Sequence, residues 1–146
     1  MPGPSPRLGE SPTAPPRRFR YLRDGLFVVC LCVYFANRWL FKPWLGPKLP
    51  FLRNHLNDLI CIPFWLPPLL LLYRKLRLRD HDGPPTYGEL ALHLALWSAL
   101  FEVVGPRLGG PFSESVSDPW DIFWYGVGAL VAGIVWNQPH RKAKAA

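Results

Sequence analysis

Four apolar stretches, roughly residues 25–41, 56–73, 89–105 and 119–136, run through a chain of 146 residues. No other feature restricts the fold as strongly. A helix that crosses a bilayer needs about 20 mostly apolar residues, with a range of about 17–25. Each stretch sits at the short end of that range. A small soluble helical bundle would need no longer helices, but its surface helices would each carry a polar face. The run Leu66-Pro67-Pro68-Leu69-Leu70-Leu71-Leu72-Tyr73 has none, and neither has Ala129-Leu130-Val131-Ala132-Gly133-Ile134-Val135-Trp136. The expected fold class is therefore all-α, an integral membrane bundle of four transmembrane helices. Mean hydropathy is only +0.06 because polar tails and loops offset the spans. The expected organisation is a disordered tail over residues 1–22, a membrane domain over 23–137 and a basic tail over 138–146.

The net charge of +7 would suggest nucleic acid in a soluble protein, but the basic residues sort by connector. Of the seventeen Lys and Arg residues, twelve lie in the N-terminal tail, the connector between spans two and three, and the C-terminal tail. All three regions share one side of a four-span topology. The positive-inside rule then places both termini in the cytoplasm, and juxtamembrane Arg and Lys favour anionic lipids. Membrane lipids are the expected partners and nucleic acid is not. Cys30, Cys32 and Cys61 all fall in predicted spans. They read as small apolar side chains, without a disulfide framework or the further ligands that a Cys-x-Cys metal site requires. No metal and no cofactor is expected.

Six prolines within the first twenty residues exclude a regular helix there, and little apolar surface offsets the cost of ordering. The first apolar stretch follows a basic cluster and lacks a small-residue cleavage site, so it reads as an uncleaved anchor. Pro43, Pro47 and Pro50, set among Trp39, Phe41, Trp44 and Phe51, predict an irregular segment in the membrane interface. Pro63, Pro67 and Pro68 predict a bent second span whose freed carbonyls need partners from neighbouring helices, and hence a central position. Thr86 and Glu89 form a candidate capping box. Asp118-Pro119 reads as a helix cap followed by proline at the first helical position. Gly126, Gly128, Ala129, Ala132 and Gly133 offer a surface for close helix packing.

The polar interruptions of the four stretches all map to one end of such a bundle. Asn37 and Arg38 close the first, and Asn54, Asn57 and Asp58 open the second. Glu102 and Arg107 close the third, and Asp118 and Asp121 open the fourth. Asn54, Asn57, Asp58 and Cys61 have the spacing of one helix face, as do Asp121 and Tyr125. Ionisable groups at such depth are costly unless paired or hydrated, which marks a candidate site. The ligand-binding candidates are Arg38, Arg53, Asn54, Asn57, Asp58, Glu102, Arg107, Asp118, Asp121 and Tyr125. The competing reading is a structural collar in which Arg38, Arg53 and Arg107 balance the acidic groups. His93 reads as an interfacial residue, and His55, His81 and His140 as loop or helix-end residues.

Asn54-x-x-Asn57 leading to Ile62-Pro63-Phe64, then Glu102, then Asp121, Tyr125 and Gly128, resembles the VanZ-like family of small bacterial membrane proteins over roughly residues 50–136. The chain departs from that pattern at Tyr125, where Asn is usual, at Gly105, where Gln often stands, and at Ala132, which replaces a second Gly. A weaker likeness is to small bacterial membrane proteins sometimes labelled magnesium–citrate transporters. The VanZ-like resemblance implies a multi-pass protein of the bacterial inner membrane, in some members linked to glycopeptide or lipopeptide resistance, with no established chemistry. The leading functional expectation is a non-enzymatic membrane protein whose outer-face polar cluster binds a lipid headgroup or envelope ligand. A small transporter or channel, working as a homo-oligomer, is the alternative. An enzyme is disfavoured because no Ser-His or Cys-His arrangement and no Gly-rich phosphate loop is evident.

Overall fold

A computed structural model describes residues 18–45, 48–108 and 119–138. Every described element is helical. After a short 3-10 turn at Tyr21–Arg23, α1 (Gly25–Ala36) passes without a break into a π-helical segment (Asn37–Phe41) and then into α2 (Lys42–Trp44). The short helix α3 (Pro50–Asn54) leads into α4 (Leu56–Lys75). The next helical run comprises α5 (Tyr87–Ser98), a second π-helical segment (Ala99–Val104) and α6 (Gly105–Leu108). The last helix, α7, spans Pro119–Asn137. The connector predicted to be irregular is thus largely built of two short helices, while Trp39, Trp44 and Phe51 are exposed there as an interface would require.

Two helical stretches, Gly25–Trp44 and Pro50–Lys75, are long and apolar enough to cross a membrane. The second is central, because α4 packs on α1, α5 and α7. The core joins Cys61, Ile62, Leu66 and Leu70 of α4 to Leu90 of α5 and to Tyr125, Ala129, Ala132 and Trp136 of α7. Cys30 and Cys61 are buried, Cys32 is exposed, and all three are free thiols.

α4 remains α-helical through all three of its prolines. Pro63 has no N–H to offer the carbonyl of Leu59, four residues earlier. α7 covers that carbonyl. A Cβ placed on Gly128 would collide with the Leu59 oxygen, so the backbone of α7 lies directly on it. The small residues of α7 serve two neighbours, since a Cβ on Gly133 would press on Tyr87 and Leu90 of α5. Gly126 has open space around it and does not belong to the packing surface.

The end of the bundle nearest both chain ends is tied by polar groups. Asp24 caps α1 by accepting from the backbone N–H groups of Leu26 and Phe27, and it also accepts from Trp136 Nε1 at 2.8 Å. Arg79, its side chain only 3% exposed, donates to Glu89 Oε1 at 2.6 Å, to the Tyr21 hydroxyl and to the carbonyls of His81, Gly83 and Pro84. Burial by itself would lower its affinity for the proton. The hydrogen bond and charge of Glu89 outweigh that and raise its pKa above the ordinary arginine value. The Thr86–Glu89 capping box forms as predicted. The last residues of the tail expected to be disordered over 1–22 are held instead, since Phe19 is buried edge-on against Trp136 and Tyr21; residues 1–17 of that tail lie outside the described residues. His93 is a second correction. It is only 2% exposed, with Nδ1 2.6 Å from the Glu89 carbonyl and Nε2 3.3 Å from the Tyr73 hydroxyl.

A polar cavity at one end of the bundle

At the opposite end, all four helical runs meet around a cavity of about 470 Å³. Tyr34 reaches it from α1, Asn57, Asp58 and Cys61 from α4, Phe101 from the second π segment, and Asp121 and Tyr125 from α7. Phe64 and Trp65, two turns further along α4 than Asn57 and Asp58, add aromatic surface to the lining.

Asn37, at the end of α1, is fully interior, 0% exposed, and backs the cavity wall: its Nδ2 donates to Asn57 Oδ1 at 2.9 Å. The Asn37 Oδ1 atom has no hydrogen-bond partner among the described residues. Its neighbour Arg38, which the sequence nominated, is exposed and absent from the cavity wall. Asn37 keeps the register of α1, its N–H bonded to the Val33 carbonyl, and the next residue along the helix, Arg38, points away from the interior.

The helix-face argument holds for Asn57, Asp58 and Cys61 and fails for Asn54. The chain turns at His55, so Asn54 ends α3 and does not continue the α4 face. Asn54 is exposed and accepts from Arg53 Nε at 3.1 Å. Arg107 is exposed on α6. Glu102 lies in the second π segment, but its side chain and the whole of Asp118 lie outside the described residues.

His55 is the residue that sequence reasoning missed. It sits in the α3–α4 turn with Nδ1 3.3 Å from Asp121 Oδ1 and 3.9 Å from Asp58 Oδ2. Its ring lies over Trp124 at 6.1 Å between centroids and beside Phe51 at 6.3 Å, which orients it toward the carboxylates. The signal was present in the sequence. His55 precedes Asp58 by three residues, the spacing of adjacent positions on a helix surface. The described ion pairs at this end run from His55 to the two aspartates, whereas Arg38 and Arg53 are turned to the surface. One imidazole and two carboxylates form a donor set with its three atoms within 4.8 Å of one another.

No family model, curated protein or solved structure matches this chain.

Proposed function

We propose that this protein is a non-enzymatic, multi-pass membrane protein that binds a polar headgroup or envelope ligand in the cavity between Asn57, Asp58, Asp121 and Tyr125, as the VanZ-like resemblance suggests. One observation carries the reading. A single cavity draws its lining from all four helical runs and combines two carboxylates and an amide with aromatic rings. Such a wall suits an amphipathic ligand, because apolar surface drives burial and a few placed polar groups set orientation.

Membrane residence is supported by what the helices leave uncovered. Val28, Val29, Phe35, Trp65, Leu72, Leu92, Leu96, Phe123, Leu130, Val131 and Ile134 are all exposed. An apolar belt shared by every long helix is unfavourable in water and favourable in lipid. The Tyr87–Leu108 run and α7, of 19 residues, have lengths within the range of about 17–25 residues that a span requires. We take them as the third and fourth spans. The concentration of Lys and Arg in the tails and in the connector after α4 supports cytoplasmic termini and, with them, a cavity at the outer face.

The test is the lipid and small-molecule content of the protein extracted in native nanodiscs. One headgroup class should be enriched over the surrounding membrane, and combining Asn57→Ala with Asp121→Asn should abolish the enrichment while α-helical content stays unchanged. A wild-type composition equal to that of the bulk membrane would sink the reading.

A further inference from the structure

We propose that His55, Asp58 and Asp121 hold a divalent first-row transition cation, with Zn²⁺ the best fit, and that its open coordination side faces the cavity. The inference deepens the headgroup reading and rests on it only for the identity of the remaining ligand. His55 Nδ1 lies 3.3 Å from Asp121 Oδ1 and 3.9 Å from Asp58 Oδ2, and the three atoms fall within 4.8 Å of one another. A tetrahedral zinc ion with bonds of about 2.0–2.2 Å sets its ligand atoms about 3.3 Å apart. One edge of the triangle already has that length, and the others need a contraction that side-chain rotation supplies.

The chemistry of the donors selects the ion. An imidazole nitrogen among two carboxylates favours zinc and its neighbours over Ca²⁺ and Mg²⁺, which take oxygen ligands. His55 Nδ1 faces both carboxylates, and a cation at the centre of the triangle bonds all three atoms. The three side chains are 17–24% exposed, shielded enough to strengthen the attraction and open enough for the ion to enter.

The surroundings resemble those of a built metal site. Trp124 and Phe51 fix the plane of the His55 ring. Asp121 sits in the first turn of α7 and Asp58 in the first turn of α4, so two separate helices clamp the ion. Asp58 and Asp121 both border the cavity beside Asn57 and Tyr125. An ion held there would present its remaining positions to a ligand bearing an anionic oxygen, a phosphate or a carboxylate.

The experiment uses the full chain in detergent micelles, stripped with a chelator and titrated with Co²⁺. The expected result is one Co²⁺ per chain with visible d–d absorption, displaced by Zn²⁺ and not by Mg²⁺. Asp121→Asn and His55→Gln should each weaken Co²⁺ binding by at least about 100-fold, more than the loss of an outer partner usually costs. Zn²⁺ should raise the melting temperature of the wild type and leave that of the two variants unchanged, which separates lost binding from lost folding. Absence of stoichiometric binding, unchanged binding in both variants, or an intense thiolate charge-transfer band assigning the metal to Cys61 would each overturn the proposal. Lipid content measured with and without chelator separates the two ideas. Headgroup enrichment that persists in metal-free protein and in His55→Gln shows that the ligand does not bind through the ion, overturning that part of the proposal and sparing the cavity reading. Co²⁺ binding without headgroup enrichment does the reverse.

Discussion

The Asp24 carboxylate accepts two backbone amides of α1 and the indole N–H of Trp136, 112 residues away. Tyr21, close by, holds a backbone φ of 49°, a left-handed conformation that costs a tyrosine roughly 1–2 kcal/mol. The surroundings impose it. The Tyr21 hydroxyl donates to Asp82 Oδ1 at 2.8 Å and accepts from Arg79 at 3.1 Å, and its ring packs on Phe19. Burial, reinforced by Asp82, pushes the phenol above its ordinary pKa. Asp82 moves the opposite way, because the hydroxyl of Tyr21 and the guanidinium of Arg74 hold its carboxyl below the usual value. A carboxyl with a lowered folded-state pKa stabilises the fold fully above its unfolded value of about 3.9, and loses that contribution as pH falls through the lower folded value. The melting temperatures of the wild type and Asp82→Asn should therefore differ at neutral pH and converge on acidification through that window. A gap that stays constant would show that the charge on Asp82 is not what the contact depends on. This end of the bundle was poorly legible in the sequence. Asp24, Arg79, Asp82 and His93 look like solvated residues until the connector after α4 folds back over them.

At the scale of helices, Pro63 and Gly128 act as a pair. The proline frees the Leu59 carbonyl, and the absence of a side chain on Gly128 lets α7 lie on it. Close Cα–H···O contact of this kind recurs where helices approach tightly. Gly128→Ala should force α4 and α7 apart and destabilise the protein by about 3 kcal/mol, the upper part of the usual cost of overpacking. Gly126→Ala, with open space around it, should change the melting temperature little. Equal effects from the two substitutions would rule out the close approach. The small-residue pattern was readable in the sequence, but its division between α4 and α5 was not, because that depends on how α7 is rotated. The two π-helical segments were also hidden. Each lies where an apolar run meets polar residues, around Asn37 and Glu102, and no residue type marks a π turn the way proline or glycine marks other irregularities.

For the whole molecule, the decisive prediction is sidedness. With Cys30, Cys32 and Cys61 replaced, a single cysteine at Lys48 should react with a membrane-impermeant maleimide on intact cells, and one at Leu78 only after lysis. Both positions are exposed. The reverse pattern would turn the cavity toward the cytoplasm and remove the envelope ligand from consideration. The basic residues used for orientation do not all carry equal weight. Arg74 and Arg79 of the connector after α4 are engaged by Asp82 and Glu89, and so serve the fold as well as the topology.

What the sequence determined by itself was helical content and helix limits, because these follow from local composition: apolar runs, a capping box at Thr86, a proline opening α7. It also indicated that Asn57, Asp58, Asp121 and Tyr125 belong together, since helical spacing and alternating direction place them at one end. Only the tertiary structure decided which neighbours join them. Asn37 turns inward onto Asn57 while Arg38 faces out, Asn54 falls away because the chain turns at His55, and His55 moves between two aspartates 3 and 66 residues further along. Local propensity carries no information about the rotation of one helix against another. Packing sets that rotation, here through Gly128 on Leu59, and with it which polar side chains share a cavity.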